Sequence, residues 1–411
     1  MFAIKSFNKF NYVLLISVLL LCCIGLILQK SASQREDSEN FFLKQLLWML
    51  LGLVFLVIVM NIDYLVLERL SEIIYIISIF LLIIGFAFSV AYTHRWIKIG
   101  SFSLQPSEVV KLGIILVLSK YMKRKKSQIE DLKDIIVPFL IIFIPTILTA
   151  VQPDLSSAIV IMAISLSIIF WTQISLIKFF LIFFFPLMSM IIGILLSQNI
   201  LFIFILGIYF FILFSLVKRI KIEKIDALII LFFNIIISII SPLFWMLLKD
   251  YQKDRFLSFL NPEKNALGKG YNVIQSKIAI GSGNLCGKGF CKGTQTQLNF
   301  LPSHHTDFIF SVLGEEWGFI GVTIVLFLYF IILLESFKIA FKCKDLFGKL
   351  VIFGIVFLWL FHIVANIGMT MGIIPVTGLP LPLLSYGGTF LIINLIMTGL
   401  ILNIGVKRYV F

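Results

Sequence analysis

Asp307 closes the polar stretch Leu301-Pro302-Ser303-His304-His305-Thr306-Asp307 and is followed at once by a long apolar run. A carboxylate at such a boundary is partly stripped of water, which raises its proton affinity toward the range of a general base. A helix-start Asp is equally an ordinary N-cap, and the sequence leaves both readings open. Glu315 and Glu316 follow inside the same run. Acids within an apolar span are costly and default to a functional reading. Glu108 and Lys111 stand three apart, so they share a helix face, either as an ion pair or as a charged site. Arg95-Trp96, Asp154 after Gln152-Pro153, and Ser385-Tyr386-Gly387-Gly388 behind Pro375, Pro380 and Pro382 are further clusters at loop positions. Irregular backbone at membrane depth is tolerated where it lines a cavity.

The run Gly281-Ser282-Gly283-Asn284-Leu285-Cys286-Gly287-Lys288-Gly289 is glycine-rich around a lysine. It is no Walker loop: the spacing is one short, and Gly289 stands where Ser or Thr must hold magnesium. Its glycines could still turn backbone N–H groups toward an anion, with Lys288 adding charge; a plain flexible turn fits as well. Just before it, Tyr271, Ile274 and Ile278 recur at helical intervals in a segment too short to span. This predicts an interfacial or re-entrant helix that turns Gln275 and Lys277 away from lipid.

The elements that must carry these residues follow from composition. The chain has 411 residues, of which 60% are hydrophobic and 13% charged, with 43 Phe. That much apolar surface has to face lipid. Apolar runs at 10–29, 42–62, 72–91, 107–122, 135–151, 155–171, 174–195, 199–217, 226–248, 307–334, 349–372 and 386–406 predict an all-α polytopic fold of about twelve transmembrane helices. The first run lacks a small-residue cleavage site and reads as an uncleaved helix. The formal charge of +13 reflects the positive-inside rule rather than nucleic-acid binding. Basic residues crowd Lys5 and Lys9, Lys120 to Lys126, Lys218 to Lys224, Lys338 to Lys344, and Lys407-Arg408, which places these loops and both termini in the cytoplasm. The stretches 34–40, 92–106, 152–154, 249–306 and 373–385 then face outward, and they hold nearly all the unusual residues. The loop 249–306 is too long for a connector. Its surplus of lysines calls for an anionic ligand at the outer surface. Cys286 and Cys291 lie together in it, spaced to close a small loop in an oxidising compartment or to stay as two free thiols, with no zinc spacing.

The motifs resemble the SEDS family of polytopic cell-wall polymerases, its elongation branch more than its division branch. They are Arg95-Trp96-Ile97, Gln105-Pro106-Ser107-Glu108 with Lys111, Gln152-Pro153-Asp154-Leu155, Asp250-Tyr251-Gln252 with Arg255, Gly270 to Gly283, Gly293-Thr294-Gln295, His305-Thr306-Asp307-Phe308 leading into Glu315-Glu316, Asn366-Ile367-Gly368-Met369, and Ser385-Tyr386-Gly387-Gly388. The resemblance implies one polytopic domain over 1–411 in the cytoplasmic (inner) membrane and a peptidoglycan glycosyltransferase that polymerises lipid II on the outer face. It implies Asp307 as the catalytic residue. Arg95, Glu108, Lys111, Asp154, Arg255, Gln275, Ser276, Lys277, Lys288, His305 and Thr306 are implied around the substrate and its diphosphate, supported by Glu315, Glu316, Ser385 and Tyr386. A class B penicillin-binding transpeptidase and other elongation-complex membrane proteins are the implied partners. A divalent cation, magnesium or manganese, is an open companion of the diphosphate. Three departures stand out: Ser303 where the family has Glu, Ser156 where it has Gly, and about fifty extra residues near 175–245. The last reads as a pair of spans added to a ten-helix plan.

A lipid-precursor flippase would instead place ionisable groups at the bilayer midplane on repeated broken helices. His362 and Lys178 are the loose candidates for that. A non-catalytic scaffold would need no Asp307. The charge bias makes a direct prediction: membrane-impermeant thiol reagent applied to intact cells labels single cysteines placed within 249–306 and misses those at 123–126 and 218–224. The reverse pattern would overturn the outward placement of every motif above.

Overall fold

The structure, a computed structural model, describes residues 10–33, 41–88, 95–99, 102–125, 133–172, 185–196, 202–219, 224–247, 253, 269–298, 300–302 and 304–407. Helices α1 (Tyr12–Ala32), α2 (Phe41–Asn61) and α3 (Tyr64–Phe88) lead to a short antiparallel ribbon, β1 (Ile97–Ile99) with β2 (Phe102–Leu104). Helices α4 (Pro106–Arg124), α5 (Lys133–Val151), α6 (Leu155–Phe170), α7 (Phe185–Leu196), α8 (Phe202–Arg219) and α9 (Lys224–Leu247) follow. Then come α10 (Lys269–Ser282), the single turn α11 (Thr294–Gln297), α12 (Ile309–Lys342), α13 (Leu346–Thr370) and α14 (Gly388–Lys407). Twelve of these helices fall on the twelve apolar runs. The ribbon is the one departure from an all-helical plan among the described residues, and α10 is the short helix expected before the glycine run.

The protein is a multi-pass membrane protein. Six helices, α1, α2, α3, α12, α13 and α14, are long and apolar enough to cross a membrane. Shorter apolar helices supply the rest. Hydropathy undervalues α4, which carries Glu108, Lys111 and Lys120 yet is buried along almost its whole length. It packs against α3, α6, α13 and α14. Its charges can be there only because they find partners inside the bundle. Caps mark the helix starts where chemistry allows: Asn11 accepts from Leu14 N–H, Asp154 from Ser157 N–H and Asp345 from Gly348 N–H. Pro106 opens α4, where its missing N–H has no cost.

The two ends of the bundle differ in chemistry. At one end Lys123 pairs with Glu68 at 2.9 Å and Asp345 at 2.8 Å, Lys120 with Glu72 at 3.1 Å, and Lys407 with Asp63 at 3.3 Å. Asn11 donates to Glu335 and Asn403 to the last carbonyls of α2. These bonds gather the start of α1, α3 and α13 and the finish of α2, α4, α12 and α14. The basic residues Lys120, Lys123, Arg124, Lys338 and Lys407 thus share one end, and the start of α12 with Asp307 lies at the other. Helices α7, α8 and α9 carry their own small core around Tyr209, Leu213 and Ile230. Tyr209 bonds Asn234 and the Phe185 carbonyl, and Ser189 bonds Ser238. These three helices coincide with the expected insertion near 175–245, and Lys178 lies outside the described residues.

Candidate functional site

Residues 304–308 form a turn that stands before α12. The N-cap position of α12 falls on Phe308, without a side-chain cap bond, so Asp307 stands one residue outside it. Three consecutive carbonyls of this turn are each held from a different part of the chain. The His305 carbonyl accepts from Gln29 of α1 at 2.8 Å and from the Tyr386 N–H at 3.0 Å. The Thr306 carbonyl accepts from Ser385 Oγ at 2.7 Å. The Asp307 carbonyl accepts from Asn366 of α13 at 2.8 Å. His304 bridges the Leu301 and Ala32 carbonyls. The His305 ring stacks on Phe41 with centroids 4.6 Å apart, and Tyr386 meets the same Phe41 edge-on. Asp307 itself remains half-buried on a backbone that cannot drift.

Behind this turn runs the irregular segment 373–387. Asn366 also donates to the Leu379 carbonyl at 2.7 Å, and Ser385 Oγ accepts from the Leu381 N–H. Gln45 of α2 donates to the Ser385 carbonyl and accepts from the Gly387 N–H. Ser156, one of the family departures, donates to the Thr377 carbonyl and so ties α6 to the same segment. The ribbon joins through Thr389, which bonds Gln105 and Ser103. Gln105 reaches Asp154 at 3.3 Å, and Arg95 donates to the Gln152 carbonyl at 3.4 Å.

Lys111 and Glu108 form an ion pair of 2.7 Å with both side chains out of contact with solvent. His362 Nε2 lies 3.4 Å from the Lys111 ammonium. Lys111 and Glu108, expected around the diphosphate, thus form a buried charge pair on α4 beside α13.

The glycine run lies against α12. α12 is bent at Gly318, whose φ of 64° breaks the helical ladder. The carbonyls this releases are taken up by the run: Lys288 N–H bonds the Glu315 carbonyl and Gly289 N–H the Glu316 carbonyl, each at 3.0 Å. In return Phe319 and Ile320 donate to Asn284 and Leu285. Lys288 pairs with Glu315 at 2.7 Å. Glu315 is fully buried and also accepts from Thr294, the Gln295 N–H and Thr296. The run is thus a backbone dock for a kinked helix, and two of its N–H groups and its lysine are spent there. Glu316 accepts from Ser31 of α1.

On α10, Ser276 is buried between helices, bonding Ser311 at 2.6 Å and the Thr370 carbonyl at 2.7 Å. It ties α10 to α12 and α13. The helix packs through Ser276, Ala279 and Ile280, with Gly283 buried just beyond its end, while Ile278 is exposed. Gln275 is half-buried and Lys277 exposed, its side chain lying over Gly372. Arg255 and Ser303 lie outside the described residues. Cys286 and Cys291 are free thiols. Among the described residues no three His, Cys, Asp or Glu side chains converge. His362, Gln29 and Gln45 were not expected at this site. Their signal was polarity inside apolar spans, strongest for His362 and Asn366, which stand four apart on one face of α13.

A bundle of apolar helices that concentrates its fixed polar backbone at one end defines an integral-membrane protein working at the outer or inner surface. The family described as "Cell cycle protein" (FtsW, RodA and SpoVE) matches residues 10–205 and 187–410, two segments that overlap across α7, and the chain belongs to this family. It is 35% identical to the peptidoglycan glycosyltransferase RodA of Treponema pallidum over 431 aligned residues, covering 98% of this chain and 99% of that protein. It is 34% identical to the peptidoglycan glycosyltransferase MrdB of Escherichia coli strain K12, covering 87% and 84%. A chain from a peptidoglycan synthase complex that coordinates polymerization and crosslinking superposes with TM-score 0.70 at 26% identity, over 97% of this chain and 98% of that one. Rod shape determining protein RodA of Thermus thermophilus shares the fold with TM-score 0.62 at 24% identity, over the same shares of each chain.

Gly287 tests the docking of the run. A Cβ there would stand 2.1 Å from the Glu316 carbonyl oxygen, and the residue holds φ +78°. Gly287→Ala should cost about 2 kcal/mol or more. Thermal unfolding in detergent should show the loss, with faster proteolysis between α10 and α12. An unchanged unfolding temperature would mean the run is not held as described.

Proposed function

We propose that the chain is a peptidoglycan glycosyltransferase that polymerises lipid II during cell elongation, on the outer face of the cytoplasmic membrane with both termini inside. One observation carries the site assignment: Asp307 sits half-buried on a turn whose three successive carbonyls are gripped by α1, α13 and the 373–387 segment. A carboxylate so fixed is preorganised for proton transfer.

In the reaction the acceptor sugar's 4-hydroxyl attacks the anomeric carbon of the donor. Its proton passes to an Asp307 carboxylate oxygen as the new O–C bond forms. The bond from that carbon to the diphosphate breaks, and its electron pair leaves with undecaprenyl diphosphate. An α-linked donor giving a β-linked strand suits this single displacement; the parallel with inverting glycosidases is one of principle. The charge that gathers on the leaving group needs fixed positive potential. Arg95, partly exposed at the ribbon with N–H groups beyond its one bond to Gln152, supplies contact. Lys111 acts through its field from behind. The likeness to a chain of a synthase complex that coordinates polymerization and crosslinking supports a class B penicillin-binding transpeptidase as partner.

Asp307→Asn keeps size and hydrogen-bonding reach but takes up no proton at neutral pH. Polymerisation of fluorescent lipid II by purified protein should fall by roughly a hundredfold or more, with membrane abundance and transpeptidase binding retained. Glycan strands made at the wild-type rate would return the site to a scaffold or flippase role.

A further inference from the structure

Two turns of α13 meet both charged parts of the site. His362 is fully buried, with Nε2 at 3.4 Å from the Lys111 ammonium and Nδ1 at 2.9 Å from the Pro380 carbonyl oxygen. An ammonium only donates and a carbonyl only accepts. Nε2 must therefore be the acceptor and Nδ1 must carry the proton. The two neighbours impose the same neutral tautomer independently. A second proton would set an imidazolium against the ammonium in a buried place where Glu108 is already paired with Lys111.

Asn366 lies four residues on, about one turn or 5.4 Å along the helix. It donates to the carbonyls of Leu379 and Asp307. His362 and Asn366 thus grip adjacent residues, 380 and 379, of the irregular segment. One of them touches Lys111 and the other holds the Asp307 turn. The relation between the buried cation and the carboxylate is set by a rigid helical turn.

We propose that His362 is a positioning residue for glycosyl transfer: its Nε2 lone pair aims the Lys111 ammonium, and its Nδ1–H locks that aim to the segment that holds Asp307. The proposal rests on the glycosyltransferase reading above. His362 touches no substrate and acts through Lys111.

Glutamine can place an amide oxygen near the Nε2 position, whereas asparagine reaches only as far as Nδ1. In full-length purified protein, His362→Gln should keep the lipid II polymerisation rate within about threefold of wild type, while His362→Asn should lower kcat roughly tenfold with KM little changed. Added to Lys111→Met, His362→Asn should cause no further loss, since both act through one ammonium. Equal losses in the Gln and Asn proteins at equal thermal stability would overturn the proposal. Wild-type rates in both, or additive losses in the double variant, would do the same. A second readout is independent of turnover. Nitrogen NMR of labelled histidine, assigned by difference against His362→Gln, should find a neutral ring protonated at Nδ1 alone. A ring protonated at Nε2 overturns the proposal whether or not polymer forms. A wild-type protein with the expected tautomer and no polymerising activity would instead defeat the glycosyltransferase reading and leave only the geometry of His362 standing.

Discussion

Backbone that leaves a helix among packed apolar spans must find its hydrogen bonds within the protein, because hydrocarbon offers none. That constraint shapes the whole end of the bundle that carries Asp307. The turn at 304–308 and the segment 373–387 lack regular secondary structure. Their carbonyls and N–H groups are taken up by Gln29, Gln45, Asn366 and Ser385. Each of these is a polar side chain projecting from, or beside, an apolar helix. Removing one leaves its partner buried and unmet, which costs more than the bond itself was worth. The apolar spans can therefore be generic, while the polar residues between them fix one arrangement of loops.

Glu315 shows the same logic applied to a charge. A buried carboxylate is unfavourable unless its lone pairs are filled. Here Lys288, Thr294, Thr296 and the Gln295 N–H fill them. The acid thereby folds a glycine-rich stretch that has little apolar surface of its own. The bend at Gly318 serves the same end by turning out carbonyls for the stretch to cap.

The fold was legible because its signals are local. Twelve apolar runs became twelve helices, since hydrophobicity is a property of short windows. The short helix α10 was legible for the same reason. Asp307 was legible as a base or a cap, and only the backbone conformation at Phe308 separates the two. Partners far along the chain were not legible. Lys111 and His362 are 251 residues apart, and nothing in either neighbourhood announces the other. Lys288 looked like a free cation because Glu315 stood 27 residues away in a different element. Ser276 looked like a ligand contact because its role depends on Ser311 and Thr370 lying against it. The glycine run looked like an anion cradle because glycine permits a close approach without saying to what.

The length of α12 has a consequence for where its acids sit. Its 34 residues would extend roughly 50 Å if straight, against a hydrocarbon layer of about 30 Å. One end is moored by Asn11 to Glu335, which also pairs with Lys338 of the basic set. The stretch 319–342 already matches that layer, so the piece before the bend at Gly318 is surplus to a crossing. Glu315 and Glu316 ride on this surplus, where Lys288, Thr294 and Ser31 stand in for water.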